Sequence, residues 1–433
     1  MIAQLIFFLL FIAAITLFIK NVRKIIRNIN LGLPVDRSDR KAERWKIMFK
    51  VAFGQTKMFA RPIPAILHFT VYAGFIIINI EVLEIIIDGL FGTHRILAPI
   101  LGLFYNFIIA SFEWLALGVI LACIVFLIRR NAINLRRFSG LEMTKWPKSD
   151  ANLILIIEIL LMSAFLKMNA ADFQLQQMAS AHYVAAGAFP VSSMFASMMP
   201  QNEGSLILIE RICWWFHIIG IFAFLNYLPY SKHLHIVLAF PNTWFSKLEP
   251  KGELNNMPTV TNEVKAMLDP SYLVPPTNAP ARFGAKDVND LSWKSLMEAY
   301  TCTECGRCTS ECPANITGKL LSPRKIMMDT RDRLTELGNN IDIHGKDHID
   351  GKSLLDNYIS REEIWACTSC NACTMACPVN IDPLAIILEL RRYIVMEESK
   401  APASLNTMFG NVENNGAPWK YSPADRLNWG KEG

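Results

Sequence analysis

Eight of the ten cysteines lie in two short runs that share one spacing. The first run is Cys302-x2-Cys305-x2-Cys308-x3-Cys312-Pro313, and the second is Cys367-x2-Cys370-x2-Cys373-x3-Cys377-Pro378. In such a run three closely spaced thiolates bind one face of a cubane, and the cysteine before the proline binds the other cluster. The spacing therefore predicts two [4Fe–4S] clusters with crossed ligands. The ligands of the first are Cys302, Cys305, Cys308 and Cys377, and those of the second are Cys367, Cys370, Cys373 and Cys312.

Zinc is the alternative occupant of clustered cysteines. A tetrahedral zinc site uses two pairs of cysteines, or cysteines with histidines, which leaves the third cysteine and the repeated Cys-Pro unexplained. The two runs also leave no open position for a substrate. We therefore expect the clusters to carry electrons and assign no catalytic residue.

Three histidines lie in or beside apolar segments, namely His68, His217 and His235. A histidine inside a membrane helix is costly unless it binds a metal or a hydrogen-bond partner. His217 and His235 are 18 residues apart, which is five turns of a continuous helix, so they would share one face roughly 27 Å apart. Imidazoles from facing helices can bind both axial positions of a haem iron. We favour haem over isolated histidines that are hydrogen-bonded to the helix backbone.

The two halves of the chain differ in composition. Of 433 residues, 52% are hydrophobic and 19% are charged, which excludes a disordered chain and is typical of a protein that lies partly in a membrane. Five apolar segments are candidates to cross a bilayer of about 30 Å. They are residues 2–19, 64–87, 107–128, 153–166 and 206–228. We predict a mostly α fold, with a five-helix transmembrane bundle and a cytoplasmic, helical, ferredoxin-like domain that holds two clusters.

The loops between these segments differ in basic residues. Residues 20–61 contain 12 Lys and Arg against 3 Asp and Glu, and residues 129–150 contain 6 against 2, whereas residues 167–205 contain a single basic residue. The positive-inside rule then places the N-terminus outside and the cluster domain in the cytoplasm of a prokaryotic inner membrane. The first segment lacks a basic start and a cleavage site, so we expect a retained anchor. The net charge of +5 is explained by these loops without a nucleic-acid partner.

The sequence predicts four regions. Residues 1–238 form the transmembrane cytochrome domain, and residues 239–290, rich in proline, form an extended linker. Residues 291–400 form the two-cluster domain, with helices expected over 323–337 and 382–398. Residues 401–433 form a tail for partner docking. No GxGxxG motif is present, so we infer no nicotinamide or flavin site.

The stretch from Phe216-His217-Ile218-Ile219 to Leu228-Pro229-Tyr230-Ser231-Lys232-His233-Leu234-His235 resembles the last helix of the nitrate reductase gamma-subunit family. The resemblance implies a five-helix b-type cytochrome in which His68 and His235 hold a haem on the cytoplasmic side. It also implies an outer haem on His217, whose partner would stand at Ile78. His94 or His182 could replace that partner. Equally, the chain could hold a single haem, and the ligands of that haem could be His68 and His217.

A second resemblance covers most of the chain. The segments Phe283-Gly284-Ala285-Lys286-Asp287-Val288, Glu363-Ile364-Trp365-Ala366 and Asn415-Gly416-Ala417-Pro418-Trp419 are similar to iron–sulfur oxidoreductases of the heterodisulfide-reductase type, which include electron-transfer-flavoprotein:menaquinone oxidoreductases. The resemblance implies quinone, in particular menaquinone, as substrate. In that family CCG domains follow the clusters, and no CCG motif is present here. We therefore expect a separate cytoplasmic CCG-domain or flavoprotein redox subunit as partner.

Together these patterns favour a membrane electron-transfer subunit that connects a cytoplasmic redox partner with the quinone pool, in either direction. The competing hypothesis is a non-enzymatic, membrane-anchored iron–sulfur redox sensor or assembly scaffold, which needs no haem. A stand-alone quinol-dependent reductase is less favoured, because the sequence shows no substrate site.

Overall fold

The computed structural model describes residues 1–133, 135–144, 146–183, 185–275 and 282–431. Within them the regular structure is helical, and the only β pairings are two isolated bridges. The first half contains α1 Ile2–Ile29, α2 Lys41–Met48, α3 Pro62–Phe91, α4 Ala98–Leu101, α5 Leu103–Asn131, α6 Trp146–Gln177, α7 Ser192–Ala196, α8 Glu203–Tyr227 and α9 His235–Trp244. The second half contains α10 Pro258–Leu268, α11 Trp293–Thr301, α12 Arg307–Ser310, α13 Pro313–Ile316, α14 Pro323–His344, α15 Leu354–Asn357, α16 Arg361–Trp365, α17 Ala372–Ala376, α18 Pro383–Met396 and α19 Ala403–Asn415.

Five of these helices are long and apolar enough to cross a membrane: α1, α3, α5, α6 and α8 with its continuation to Tyr230. Each contains one of the five apolar segments, so the predicted fold class is confirmed. The fourth segment had the shortest apolar run, yet α6 is the longest of the five, with 32 residues. Asp150, Asn169 and Asp172 extend it beyond the apolar run because they are buried against neighbouring segments.

The continuous helix that we predicted from His217 to His235 is wrong. α8 ends at Tyr227, and two short 3-10 turns, Leu228–Tyr230 and Lys232–Leu234, follow it. Pro229 contributes to the break because it has no backbone N–H to continue the helical hydrogen bonds. A separate helix, α9, begins at His235. The two histidines therefore do not share one face of one helix.

The predicted linker is only partly extended. It contains the end of α9, the 11-residue helix α10 and a 3-10 turn at Val288–Asp290. Residues 276–281, with Pro276 and Pro280, lie outside the described residues. In the cluster domain, α14 includes the predicted helix over 323–337 and continues to His344, and α18 agrees with the helix expected over 382–398.

The cluster domain is attached directly to the end of α1. Ile25 and Ile29 belong to the same hydrophobic core as Leu291 and Leu296. The backbone N–H of Leu33 donates to the carbonyl of Leu291 at 2.8 Å, and the N–H of Trp293 donates back to Leu33 at 3.0 Å. We call the end of the bundle that contacts the cluster domain the cluster-side end, and the opposite end the far end.

Gly32 allows this close approach. A Cβ atom at Gly32 would lie 2.6 Å from the backbone nitrogen of Trp293, too close for any real side chain. We expect Gly32→Ala to separate α1 from the cluster domain and to cost about 1–3 kcal/mol of stability. Thermal unfolding and limited proteolysis between the two parts would measure this. The control is Gly410→Ala in α19, where a new Cβ meets nothing within 4 Å; equal behaviour of the two variants would contradict the prediction.

Candidate electron-transfer site

The eight cysteines of the two runs line two cavities in crossed sets. Cys302, Cys305, Cys308 and Cys377 line the first cavity, with Pro378 and Ile381 among its walls. The second cavity is lined by Cys312, Cys367, Cys370 and Cys373. Each cavity therefore brings together three thiols of one run and the cysteine before proline from the other. We name them the first and the second cysteine site.

The two cysteine loops also repeat in backbone conformation. In each loop the residues on both sides of the second cysteine have positive φ: 55° at Glu304 and 70° at Gly306, and 58° at Ser369 and 61° at Asn371. The left-handed region is unfavourable for most residues other than glycine, and strained positions of this kind are concentrated at functional sites. The strain turns the chain so that consecutive cysteines face one cavity.

Each cavity is lined by four cysteines, which is the number of ligands that a [4Fe–4S] cluster takes, each thiolate binding a different iron. All ten cysteines are free of disulfides, which leaves these eight available as ligands.

Burial raises the pKa of three of these thiols, to about 12 for Cys302 and for Cys373 and to about 11 for Cys377. These three thiols are therefore neutral at physiological pH until iron displaces their protons. The two sites differ in access, because Cys370 of the second site is exposed whereas Cys302 and Cys377 of the first are buried.

His68 and His235 face each other at the cluster-side end of the bundle. Their ring centroids are 6.4 Å apart. Two imidazoles that bind one metal ion, each through a bond of about 2 Å, have centroids roughly 6 Å apart, so this spacing suits one iron between the rings. Nδ1 of His68 lies 3.0 Å from the side-chain oxygen of Gln55, and Nδ1 of His235 lies 2.9 Å from the carbonyl of Lys232. These hydrogen bonds orient both rings and leave both Nε2 atoms for the metal.

His217 has different surroundings. Its ring is 1% exposed, and its Nδ1 lies 3.0 Å from the backbone carbonyl of Leu161 on α6. A Cβ atom at Gly220, one turn away, would lie 2.6 Å from the side chain of Leu161, so α6 and α8 are in close contact here. Ile78, at the position expected for a partner, is buried in the same core. His217 thus makes an interhelical hydrogen bond through Nδ1, and its role as a haem ligand stays a prediction.

The structure does not bring His94 or His182 to His217. Nε2 of His94 is 3.6 Å from Asp172, which follows Leu161 by 11 residues on α6, roughly 16 Å along the helix. His182 packs against Tyr183, with ring centroids 6.5 Å apart. The hydroxyl of Tyr183 bonds to Glu210, two turns from His217 on α8.

Two connections join the histidine pair to the first cysteine site. The first connection runs through residues 55–57. Gln55 contacts His68, and Nζ of Lys57 donates to the carbonyl of Cys377 at 2.9 Å and to the side chain of Asn380 at 2.8 Å. Arg307 donates in turn to the carbonyls of Lys57 and Met58.

In the other connection, Lys232 accepts from His235 through its carbonyl and pairs through Nζ with Glu304, which lies between Cys302 and Cys305. Arg331 pairs with the second carboxylate oxygen of Glu304 at 2.7 Å. Our sequence reasoning missed Gln55, Lys57, Lys232 and Glu304, because their partners are distant in the chain and no local pattern marks them.

The comparisons with known proteins identify the iron–sulfur part. Residues 301–381 match the family model of the 4Fe-4S dicluster domain. The chain is 28% identical to the probable iron-sulfur-binding oxidoreductase FadF of Bacillus subtilis, over 100% of this chain and 61% of that protein. It is 28% identical to the EtfAB:quinone oxidoreductase of Syntrophomonas wolfei, over 91% of this chain and 55% of that protein.

A shorter match is the probable membrane-anchored ferredoxin of Chromohalobacter salexigens, 28% identical over 35% of this chain and 25% of that protein. No solved structure matches the chain. The chain thus spans about 61% and 55% of the two relatives that it matches over most of its length. These relatives support the coarser prediction, that the chain is similar to iron–sulfur oxidoreductases and contains a two-cluster domain.

Crossed ligation can be tested with one cysteine. We expect Cys377→Ser to remove the cluster of Cys302, Cys305 and Cys308, although it alters the second run. The iron content should fall from about eight to about four atoms per chain, as measured by iron and sulfide analysis with EPR of the remaining cluster. The control is Cys123→Ala in the bundle, which should keep all the iron. Loss of the cluster held by Cys367, Cys370 and Cys373 instead would contradict the crossing.

Proposed function

We propose that this chain is a membrane electron-transfer subunit that connects a cytoplasmic redox protein with the quinone pool. Its cofactors would be two [4Fe–4S] clusters on the eight cysteines and one haem b on His68 and His235. The observation that carries the proposal is the pair of connections between these histidines and the first cysteine site. The name of the EtfAB:quinone oxidoreductase supports a quinone, and menaquinone is our choice of quinone.

When bound, the clusters and the haem would supply one-electron carriers in series. The chain supplies their ligands and holds the carriers in place. Gln55 and the carbonyl of Lys232 orient the two imidazoles, while Lys57 and Glu304 fix the first cysteine site beside them. Burial of Cys302 and Cys377 excludes water from the site nearest the bundle.

The second cysteine site is the one that a partner can approach. Cys370 is exposed, and so are three apolar side chains close in sequence to its ligands: Ile316, Leu320 and Met375. We propose that the partner is a CCG-domain or flavoprotein redox subunit that docks here and on the tail over 401–433. Trp419 and Trp429, which follow α19 in the tail, are exposed. Large aromatic side chains are enriched in protein interfaces.

The same proposal assigns the regions and the orientation predicted above. Residues 1–238 form the cytochrome domain, residues 239–290 connect it to the cluster domain over 291–400, and the N-terminus faces outside the inner membrane. The basic loops over 20–61 and 129–150 support this orientation, because both lie at the cluster-side end of the bundle.

The haem assignment distinguishes the electron carrier from a redox sensor. We expect His68→Gln or His235→Gln to abolish the b-type absorption bands and the pyridine-haemochrome signal, since each removes one axial ligand. We expect His217→Gln, the matched control, to keep one haem per chain. Purified protein without any haem would disprove the electron-transfer path and would leave the sensor hypothesis.

We expect the contact between Lys232 and Glu304 to affect electron transfer between the clusters and the haem. We expect Lys232→Met to leave the iron and haem contents unchanged and to slow reduction of the haem after the clusters are reduced, because a buried Glu304 loses one partner and the loop shifts. Stopped-flow absorption of the haem bands measures this rate. An exposed lysine, Lys420, provides the control as Lys420→Met; equal rates in both variants would argue against the contact.

A further inference from the structure

The loop between α5 and α6 packs against the first cysteine site and carries Arg137 there. Arg324 on α14 fastens this loop, because its guanidinium donates to the carbonyl of Arg137 and pairs with Glu142 at 2.7 Å. A Cβ atom at Gly306, in the first cysteine run, would lie 3.1 Å from the carbonyl oxygen of Arg137 and 3.4 Å from its Cβ. The bundle thus brings a basic residue into contact with the loop that holds three of the thiols.

Arg307 is a second cation at this site. It stands directly before Cys308 and is 4% exposed. Its guanidinium donates to the carbonyls of Lys57, at 3.2 Å, and of Met58, at 3.3 Å. Among the residues that the structure describes, neither Arg307 nor Arg137 pairs with a carboxylate, and Nε of Arg137 is buried without a hydrogen-bond partner.

The two guanidinium groups repel each other, and both are attracted by Cys305. Burial lowers the pKa of Arg137 to about 10, and Arg61 and Arg307 lower it further, whereas a thiolate at Cys305 acts in the opposite direction. Burial likewise lowers the pKa of Arg307, again opposed by Cys305. Glu304, the acid in the same loop, is already paired with two other cations. Buried cations need a counter-charge, and a cluster with its four thiolates is the anion that this site would provide.

The second cysteine site has a different balance of charge. Arg391 donates to a carbonyl of the second run, and Lys251 donates to the carbonyl of Thr374 at 3.3 Å. A carboxylate is also present: Asp382 accepts from the hydroxyl of Thr374 at 3.1 Å, and that hydroxyl is 3.9 Å from the sulfur of Cys373. The carboxylate offsets part of the positive charge, and this site is the one that is open to water.

These differences act on the reduction potential of a bound cluster. Reduction adds one electron and no proton, so the cluster and its thiolates gain one negative charge. Burial disfavours that charge because water is excluded, whereas fixed cations nearby favour it. A cluster at the buried first site would therefore be difficult to reduce without the two arginines.

We propose that Arg137 and Arg307 raise the reduction potential of the first cluster above that of the second, so that an electron entering at the exposed second site moves on towards the histidine pair. In each such step the second cluster is oxidised by one electron and the first is reduced by one, and no bond is made or broken. This inference rests on the proposed function and adds to it the direction of electron flow within the cluster domain. Because Arg137 belongs to the bundle, the potential is set only when the bundle and the cluster domain are docked.

A redox titration followed by EPR tests this proposal. The full chain, purified with about eight iron atoms, is titrated with dithionite and mediators, and Cys377→Ser assigns the signal of the second cluster. We expect Arg137→Gln and Arg307→Gln each to shift the reduction equilibrium of the first cluster three- to tenfold, or roughly 30–60 mV downwards for one electron, and to leave the second unchanged. Arg136→Gln, which removes an exposed arginine from the same loop, should shift neither. Unchanged potentials in both test variants, or a first cluster below the second in the parent chain, would overturn the inference.

Lysine variants separate charge from structure. Arg137→Lys and Arg307→Lys keep the positive charge, and we expect them to keep the parent potential. An equal downward shift in the lysine and glutamine variants would refute the role of charge. If Arg307→Gln loses iron, because its contacts with the carbonyls of residues 57 and 58 are lost, Arg137→Gln and the two lysine variants still decide. The titration does not need haem, so shifted potentials in a chain without haem would support the inference and count against the proposed function alone.

Discussion

Buried charges between the bundle and the cluster domain determine how the two parts meet. Lys232, Glu304 and Arg331 form a connected set in which the carboxylate is 3% exposed. Removing such groups from water costs several kcal/mol per ion, and only well-placed partners recover it. The set is therefore satisfied in one docked arrangement and is penalised in others. That arrangement also places the first cysteine site beside His68 and His235.

The backbone of the contacting segments is strained beside the histidine pair and the first cysteine site. Gln55 has φ of 48° and is buried, yet its side chain holds His68 and the next residues hold the first cysteine site. Glu304 has φ of 55° and contributes to both the cysteine loop and the ion set. Positions of this kind persist only where the surroundings compensate the strain. The contact between the domains and the placement of these side chains thus stabilise each other.

The two ends of the bundle are built differently. At the cluster-side end His68 and His235 face each other, and each ring is held through its Nδ1 atom. At the far end, hydrogen bonds form around Arg95 and around Glu113, which accepts from Asn169 and from the N–H groups of Val191 and Ser192. This network fixes helix positions inside the bundle, and Oε2 of Glu81 and Nδ1 of His94 lie buried beside it without a hydrogen-bond partner among the described residues. The far end therefore holds the helices together through many polar contacts, whereas the cluster-side end presents the histidine pair.

The sequence alone determined the cluster-binding motif and the number of apolar segments. The ligand runs follow from local spacing, and the membrane helices follow from a local excess of apolar residues, so neither needs knowledge of distant contacts. Only the tertiary structure decided where helices end and which side chains meet. Pro229 separates His217 from His235, Asp150 and Asp172 lengthen α6, and Gln55, Lys57 and Lys232 find partners remote in the chain. Such contacts depend on how whole helices pack. The residues next to a position in the sequence do not indicate which distant residues it will contact.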